Sequence, residues 1–185
     1  AALAAGNDLN LNSAGNAQNS AQGNKESHAG GLDRTSVSSG GNLTLAAGQD
    51  ISSQAAALAA GGDAGLSAGR DIRLEAAATG SGYSEKGSKK TVISETVRQQ
   101  GTEMASGGNT TLVAGRDITA HAADVTAKQD IALQAGRDVN LNTATESDYL
   151  YREETKTKKG LLSKKTTHTI QEDSATQEKG TLLSG

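Results

Sequence analysis

The chain has no cysteine, no proline, no phenylalanine and no tryptophan, and only three tyrosines and one methionine. Without cysteine there is neither a disulfide frame nor a thiolate metal site. Aromatics make up 2% and apolar residues 34% of the 185 residues, so large side chains cannot fill a broad globular core. No apolar run reaches the length of a membrane-spanning helix, and the start "AALAAGNDLNLN" lacks the basic region and cleavage site of a signal peptide. That start has no Met and falls inside a repeat, so the chain is expected to be a piece of a longer one. A net charge of only −3 and regularly spaced aliphatic residues argue against whole-chain disorder.

What is abundant is glycine, 23 residues, much of it in recurring phrases. "AGNDLNLN", "AGQDISSQ", "AGRDIRLE", "AGRDITAH" and "AGRDVNLN" share Ala-Gly-x-Asp-aliphatic, with their aspartates at Asp8, Asp50, Asp71, Asp117 and Asp138. Asp50 to Asp71 and Asp117 to Asp138 both span 21 residues (71 − 50 = 21; 138 − 117 = 21). A weaker phrase, "GGNLTL", "GGDAGL", "GGNTTL" and "KQDIAL", lies between them and keeps the same period. After each corner the apolar residues alternate, as in Leu43 and Leu45 or Ile72 and Leu74, which is the signal of a half-buried strand. A third short strand fits near Leu58 and Val125.

A 21-residue unit of short strands cannot bury its own apolar row, so the units must stack. Three strands and tight corners per unit, each strand paired in parallel with its copy in the next, make an all-β, right-handed parallel β-helix. Its narrow interior is served by Ala, Val, Ile and Leu. Segments such as "AAALAAG" favour helix locally, but glycine at every corner opposes it.

The coils are interrupted. Coils are expected at about 1–15, 40–78 and 107–144, and polar excursions at about 16–38, 79–106 and 145–183, with a long period of 67 residues (138 − 71 = 67). The second and third excursions place Thr-rich arms around "KGSKK" and "KKGLLSKK", which predicts protruding β-hairpins. The first, rich in Asn, Gln, Ser and Gly, is expected to be looser. "TLLSG" matches the start of "SVSSGGNLTL", so a further coil pair is expected beyond Gly185.

"AGRDIxL" and "SGGNLTL" coils separated by excursions such as "KGLLSKKTTHT" resemble, over essentially the whole chain, the haemagglutinin repeats of filamentous haemagglutinin and of contact-dependent growth inhibition effectors. These are large exoproteins of bacterial two-partner secretion. The resemblance implies a right-handed parallel β-helix in a secreted or cell-surface filament, exported by an outer-membrane partner transporter. It serves either toxin delivery, with a part in passage through the target cell's outer membrane, or adhesion to a host or neighbouring-cell glycan or protein. The partners so implied are that transporter and the target-cell surface. No cofactor is implied.

Individual residues carry little chemistry. The corner glycines are expected to supply positive φ, and the Asp or Asn beside them to accept hydrogen bonds from their own turn. Stacked aspartates need charge relief, for which Arg70, Arg116 and Arg137 are placed. "GGDAGL" matches a calcium β-roll only in part, and the corners recur at eight and thirteen residues, so calcium is not expected. His28, His121 and His168 are scattered, and no enzyme activity is expected. Tyr83, Tyr149 and Tyr151 are expected to cap the shaft where excursions leave it. The candidate surface contact is the basic cluster Arg152, Lys156, Lys158, Lys159, Lys164 and Lys165, which is suited to an anionic surface but diluted by Glu153, Glu154, Glu172 and Asp173. A merely solvated hairpin is the competing reading. Without interleaved aromatics, nucleic acid is not expected. Open coil ends invite self-association.

Overall fold

The computed structural model describes residues 1–185 and contains strands and turns but no helix. The first coil runs through β1 (Ala2–Ala5) and β2 (Leu9–Asn12), leaves the shaft as a hairpin of β3 (Ala14–Gln22) and β4 (Lys25–Asp33), and closes with β5 (Ser36–Ser39). The second, uninterrupted, is β6 (Leu43–Ala47), β7 (Ile51–Gln54) and β8 (Ala57–Ala60). The third is β9 (Ala64–Ala68) and β10 (Ile72–Glu75), then the hairpin β11 (Ala77–Lys86) and β12 (Lys90–Gln100), then β13 (Glu103–Ser106). The fourth, again uninterrupted, is β14 (Thr110–Ala114), β15 (Ile118–His121) and β16 (Asp124–Ala127). The fifth is β17 (Ile131–Ala135) and β18 (Val139–Asn142), the hairpin β19 (Ala144–Lys159) and β20 (Lys164–Lys179), and β21 (Leu182–Ser184).

Equivalent strands stack in coil order into three parallel five-stranded sheets, which makes the shaft a parallel β-helix. Register aligns like with like: Leu45 opposite Leu66, Leu66 opposite Leu112, and Leu112 opposite Leu133 on one side, and Ile51, Ile72 and Ile118 on the next. The third side stacks Val37, Leu58, Met104, Val125 and Leu183. These columns form one continuous core, in which Leu43, Leu45, Ile51, Leu66, Ile72 and Leu112 are essentially inaccessible. Polar residues that enter it are paired. Ser53 Oγ lies 3.0 Å from Thr102 Oγ1 and Ser106 Oγ 2.8 Å from Thr110 Oγ1, so no desolvated hydroxyl is stranded.

All three hairpins leave at the same corner, between the second and third sides of coils one, three and five. In the uninterrupted coils that corner is Ala55-Ala56 or Ala122-Ala123, with Ala55 and Ala122 in the left-handed region at φ 53° and 47°. The third-side strand Glu103–Ser106 lies inside a stretch that the sequence pattern assigns to an excursion, and Ser36–Ser39 and Leu182–Ser184 overlap the ends of the other two, because so short a strand after a polar loop does not stand out. The first excursion is not loose. It forms two nine-residue strands paired throughout, from Ala14 opposite Asp33 to Gln22 opposite Lys25.

The hairpins are also not separate ribbons. They join into one six-stranded antiparallel sheet in the order β3-β4-β11-β12-β19-β20. The reason is a match of spacings. Coils repeat about every 4.8 Å, so hairpins on alternate coils are about 9.6 Å apart, which is the width of two strands. The sheet stands off the shaft as a single-layer fin, and its outer strands β3 and β20 are exposed along both faces.

Candidate surface-contact site

The corners hold the coils together. Asp50 Oδ1 accepts the amide of Asp71 at 3.0 Å, Asp71 Oδ1 that of Asp117 at 3.3 Å, and Asp117 Oδ1 that of Asp138 at 3.3 Å. The second corner repeats this through Asn42, Asp63 and Asn109. Each side chain therefore bonds the next coil and not, as the turn chemistry suggests, its own turn. The arginines reach back one coil. Arg70 is bidentate on Asp50 (3.2 and 2.7 Å), Arg116 on Asp71 (3.0 and 2.7 Å), and Arg137 pairs with Asp117. Desolvation pushes the Asp50 carboxyl upward, but the Asp71 amide and the Arg70 guanidinium outweigh it, so its pKa lies below the ordinary value. Asp117 is lowered in the same way, desolvation being outweighed by Arg137 and the Asp138 amide.

Glycine is required at these corners for a reason other than positive φ, which among the glycines only Gly23 adopts. A methyl group on Gly69 would sit 2.2 Å from the Gly48 carbonyl oxygen, and the same holds between Gly115 and Gly69 and between Gly136 and Gly115. Only a residue without Cβ lets successive backbones approach so closely.

Each hairpin is fastened at its neck by a threonine. Thr35, Thr102 and Thr181 donate their hydroxyls to the carbonyls of Asn12, Glu75 and Asn142, the last residues of the strands that precede each exit, at 2.6, 3.3 and 2.8 Å. Arg34 adds a clamp from the first neck to the Ala55 and Ala56 carbonyls and to Glu103 at 2.9 Å. The Arg34 hydrogen bond holds the Glu103 carboxyl below its ordinary range. The threonines are legible in the sequence as the residue before each returning strand, in "RTSV", "GTEM" and "GTLL".

The tyrosines do not cap the shaft. Tyr83, Tyr149 and Tyr151 stand in the body of the fin, where their hydroxyls donate to Glu85, Glu172 and Glu153 at 3.3, 3.1 and 3.2 Å. The exits are closed by backbone and threonine bonds, which leaves no apolar edge for a ring to cover. Burial, Glu172 and Glu153 push the Tyr149 and Tyr151 hydroxyls upward. His28 lies flat across Gly82, His168 is 2.6 Å from Glu153, and His121 Nδ1 is 2.9 Å from Glu75, so the three imidazoles remain apart.

The basic cluster divides. Arg152 sits within the fin, opposite Val92 and Gln171 and 3.8 Å from Glu154. The five lysines gather farther out, because β12 begins opposite Glu154 and the third hairpin continues alone beyond it. From Thr155 to His168 the tip carries five lysines and no carboxylate. Only Lys156 has an acidic partner, Glu154 at 3.1 Å; Lys158, Lys159, Lys164 and Lys165 have none within 4 Å. The expected dilution by Glu153, Glu172 and Asp173 thus acts on the fin and not on the tip, where Leu161 and Leu162 stand fully exposed. That pair was visible in "KKGLLSKK" but reads there as part of a turn.

A family profile described as hemagglutinin repeat matches residues 33–94 and 80–181. The tRNA nuclease CdiA of Escherichia coli (strain STEC_O31) is 55% identical over 185 residues, 100% of this chain and 6% of that protein. The deoxyribonuclease CdiA of Dickeya dadantii (strain 3937) is 42% identical over 154 residues, 83% of this chain and 5% of that protein. The 16S rRNA endonuclease CdiA of Enterobacter cloacae is 56% identical over 102 residues, 55% of this chain and 3% of that protein. No solved structure matches.

Proposed function

The chain belongs to the hemagglutinin-repeat family, and on that premise we propose that it is a carrier segment of a secreted, cell-surface exoprotein that delivers a toxin in contact-dependent growth inhibition. The shaft supplies length, the fin supplies a lateral surface, and the tip of the third hairpin meets the target-cell surface, with a part in passage through its outer membrane. Export through an outer-membrane partner transporter fits the same reading. The chain spans about 6% of the first of these relatives, so the nuclease activity in their names is a property of the whole proteins; this segment carries and does not catalyse.

The observation that carries the reading is the segregation of charge. In a chain of net charge −3, five lysines gather on the most remote part of the fin, and four of them, Lys158, Lys159, Lys164 and Lys165, have no carboxylate within 4 Å. Lys156, Lys158, Lys159, Lys164 and Lys165 are the contact residues, and Arg152 supports the fin behind them. The test replaces residues 156–167 by an Asn-Gly turn between Thr155 and His168, which are directly paired. Labelled chain is then followed on live enterobacterial cells by flow cytometry. The intact chain is expected to bind and the shortened one to lose binding with its unfolding midpoint unchanged. Equal binding by both would refute the assignment, and saturable capture on a glycan array without cell-membrane association would favour adhesion.

A further inference from the structure

The tip holds an arrangement that works against its own stability. In the register of the third hairpin Lys158 faces Lys165 and Lys159 faces Lys164, two like-charged cross-strand pairs in succession. Such pairs are destabilising where opposite charges would help. No carboxylate lies within 4 Å of any of the four. Side chains alternate across the strand, so the Lys158–Lys165 pair projects from one face and the Lys159–Lys164 pair from the other. Immediately beyond them, at the turn, Leu161 and Leu162 are essentially fully exposed, whereas no other leucine exceeds 57% exposure.

Neither feature contributes to the fold, and together they suit one kind of surface. Resting on the reading of the tip as the contact element, we propose that residues 158–165 form a shallow anchor for a phosphate-bearing lipid bilayer. Leu161 and Leu162 enter the boundary between headgroups and acyl chains, while the four lysines take lipid phosphates on both faces of the ribbon. The two signals act jointly, since apolar burial of two side chains or a small basic patch alone gives only weak attachment. Lipid phosphates placed between the paired ammonium groups also remove the repulsion that the free tip carries. The ribbon extends beyond Glu154, where β12 begins, by five residues on β19, or about 17 Å. That overhang lets the tip reach a flat membrane before the rest of the fin meets it.

The chain has no tryptophan, so Leu162→Trp in the 185-residue protein introduces a single reporter. It is mixed with vesicles of phosphatidylcholine alone and with vesicles carrying a quarter phosphatidylglycerol, and flotation and emission are recorded. The expected result is flotation with the anionic vesicles only, a blue-shifted emission, and quenching by brominated acyl chains. In the otherwise natural chain, Leu161→Ser with Leu162→Ser is expected to weaken vesicle binding by about tenfold or more, and each lysine changed to glutamine by about fivefold. None of these changes should move the unfolding midpoint, because the tip buries nothing. Flotation with unshifted emission and with the serine variant undiminished would overturn the anchor while leaving an electrostatic contact in place. No flotation at all would overturn both. Free heparin that is bound as tightly as the vesicles, and equally by the serine variant, would assign the tip to anionic polysaccharide and overturn the bilayer.

Discussion

Gly69 and Gly65 lie four residues apart in one coil and differ completely in what a methyl group would meet. At Gly69 it would strike the Gly48 carbonyl at 2.2 Å, and at Gly65 it has nothing within 4 Å. Gly69→Ala is therefore expected to cost about 1–3 kcal/mol in urea unfolding, as overpacking against rigid backbone does, while Gly65→Ala is neutral or slightly stabilising. Equal effects at the two sites would show that the coils can part to admit a Cβ. Charge at the same corner sets the acid limit of the shaft. The folded-state pKa values of Asp50 and Asp117 lie below their unfolded values, so their contribution is present above the unfolded pKa near 4 and is lost as pH falls through the folded values. Arg70→Gln and Arg137→Gln should lower the thermal midpoint at neutral pH, and the difference from the natural chain should shrink as pH is taken below about 4. A deficit that persisted undiminished in acid would mean that the arginines act through packing alone. The sequence shows Arg beside Asp at Asp71, Asp117 and Asp138, but the bond between one coil's Arg and the previous coil's Asp becomes visible only when the coils are stacked.

Among the elements, the middle hairpin has the most dependents. β11 pairs with β4 through Gly80 to Glu85, and β12 with β19 through Lys90 to Val97, so it is the only link between the outer two hairpins. Replacing residues 76–102 with Ala-Ala, the corner used by coils two and four, should leave a folded shaft and two isolated hairpins. Isolated two-stranded hairpins are marginal in water. Tryptic cleavage after Lys25 and Arg152, which face Glu85 and Val92, is expected to accelerate about tenfold or more while the shaft resists digestion. Unchanged cleavage would show that each hairpin is stable by itself. Here the sequence was only partly legible. Thr-rich arms around Gly and Lys mark the second and third hairpins, but Ala14–Gln22 and Lys25–Asp33 have little strand propensity and join the sheet through the pairing of β4 with β11.

In the molecule as a whole, shaft and fin grow at the same pace, two strands of fin for every two coils of shaft. The fifth coil leaves Val139, Leu141 and Leu182 exposed along with unpaired strand edges. Self-association of the 185-residue chain is expected through that surface, and Val139→Ser with Leu141→Ser should reduce it in sedimentation velocity at high concentration. Association unaffected by those changes would place it elsewhere, at the outer edges of β3 or β20. The sequence by itself determined the coil. Its 21-residue spacing, alternating aliphatics and lack of bulky aromatics admit a narrow stacked interior, because a short period-two strand can bury one face only against copies of itself. Tertiary structure alone decided the fin and the isolation of the lysine tip. Lateral pairing of hairpins depends on the distance between their points of exit, and the lysines stand clear of the neighbouring strands because β12 begins only opposite Glu154. Neither quantity is written in any local stretch of residues.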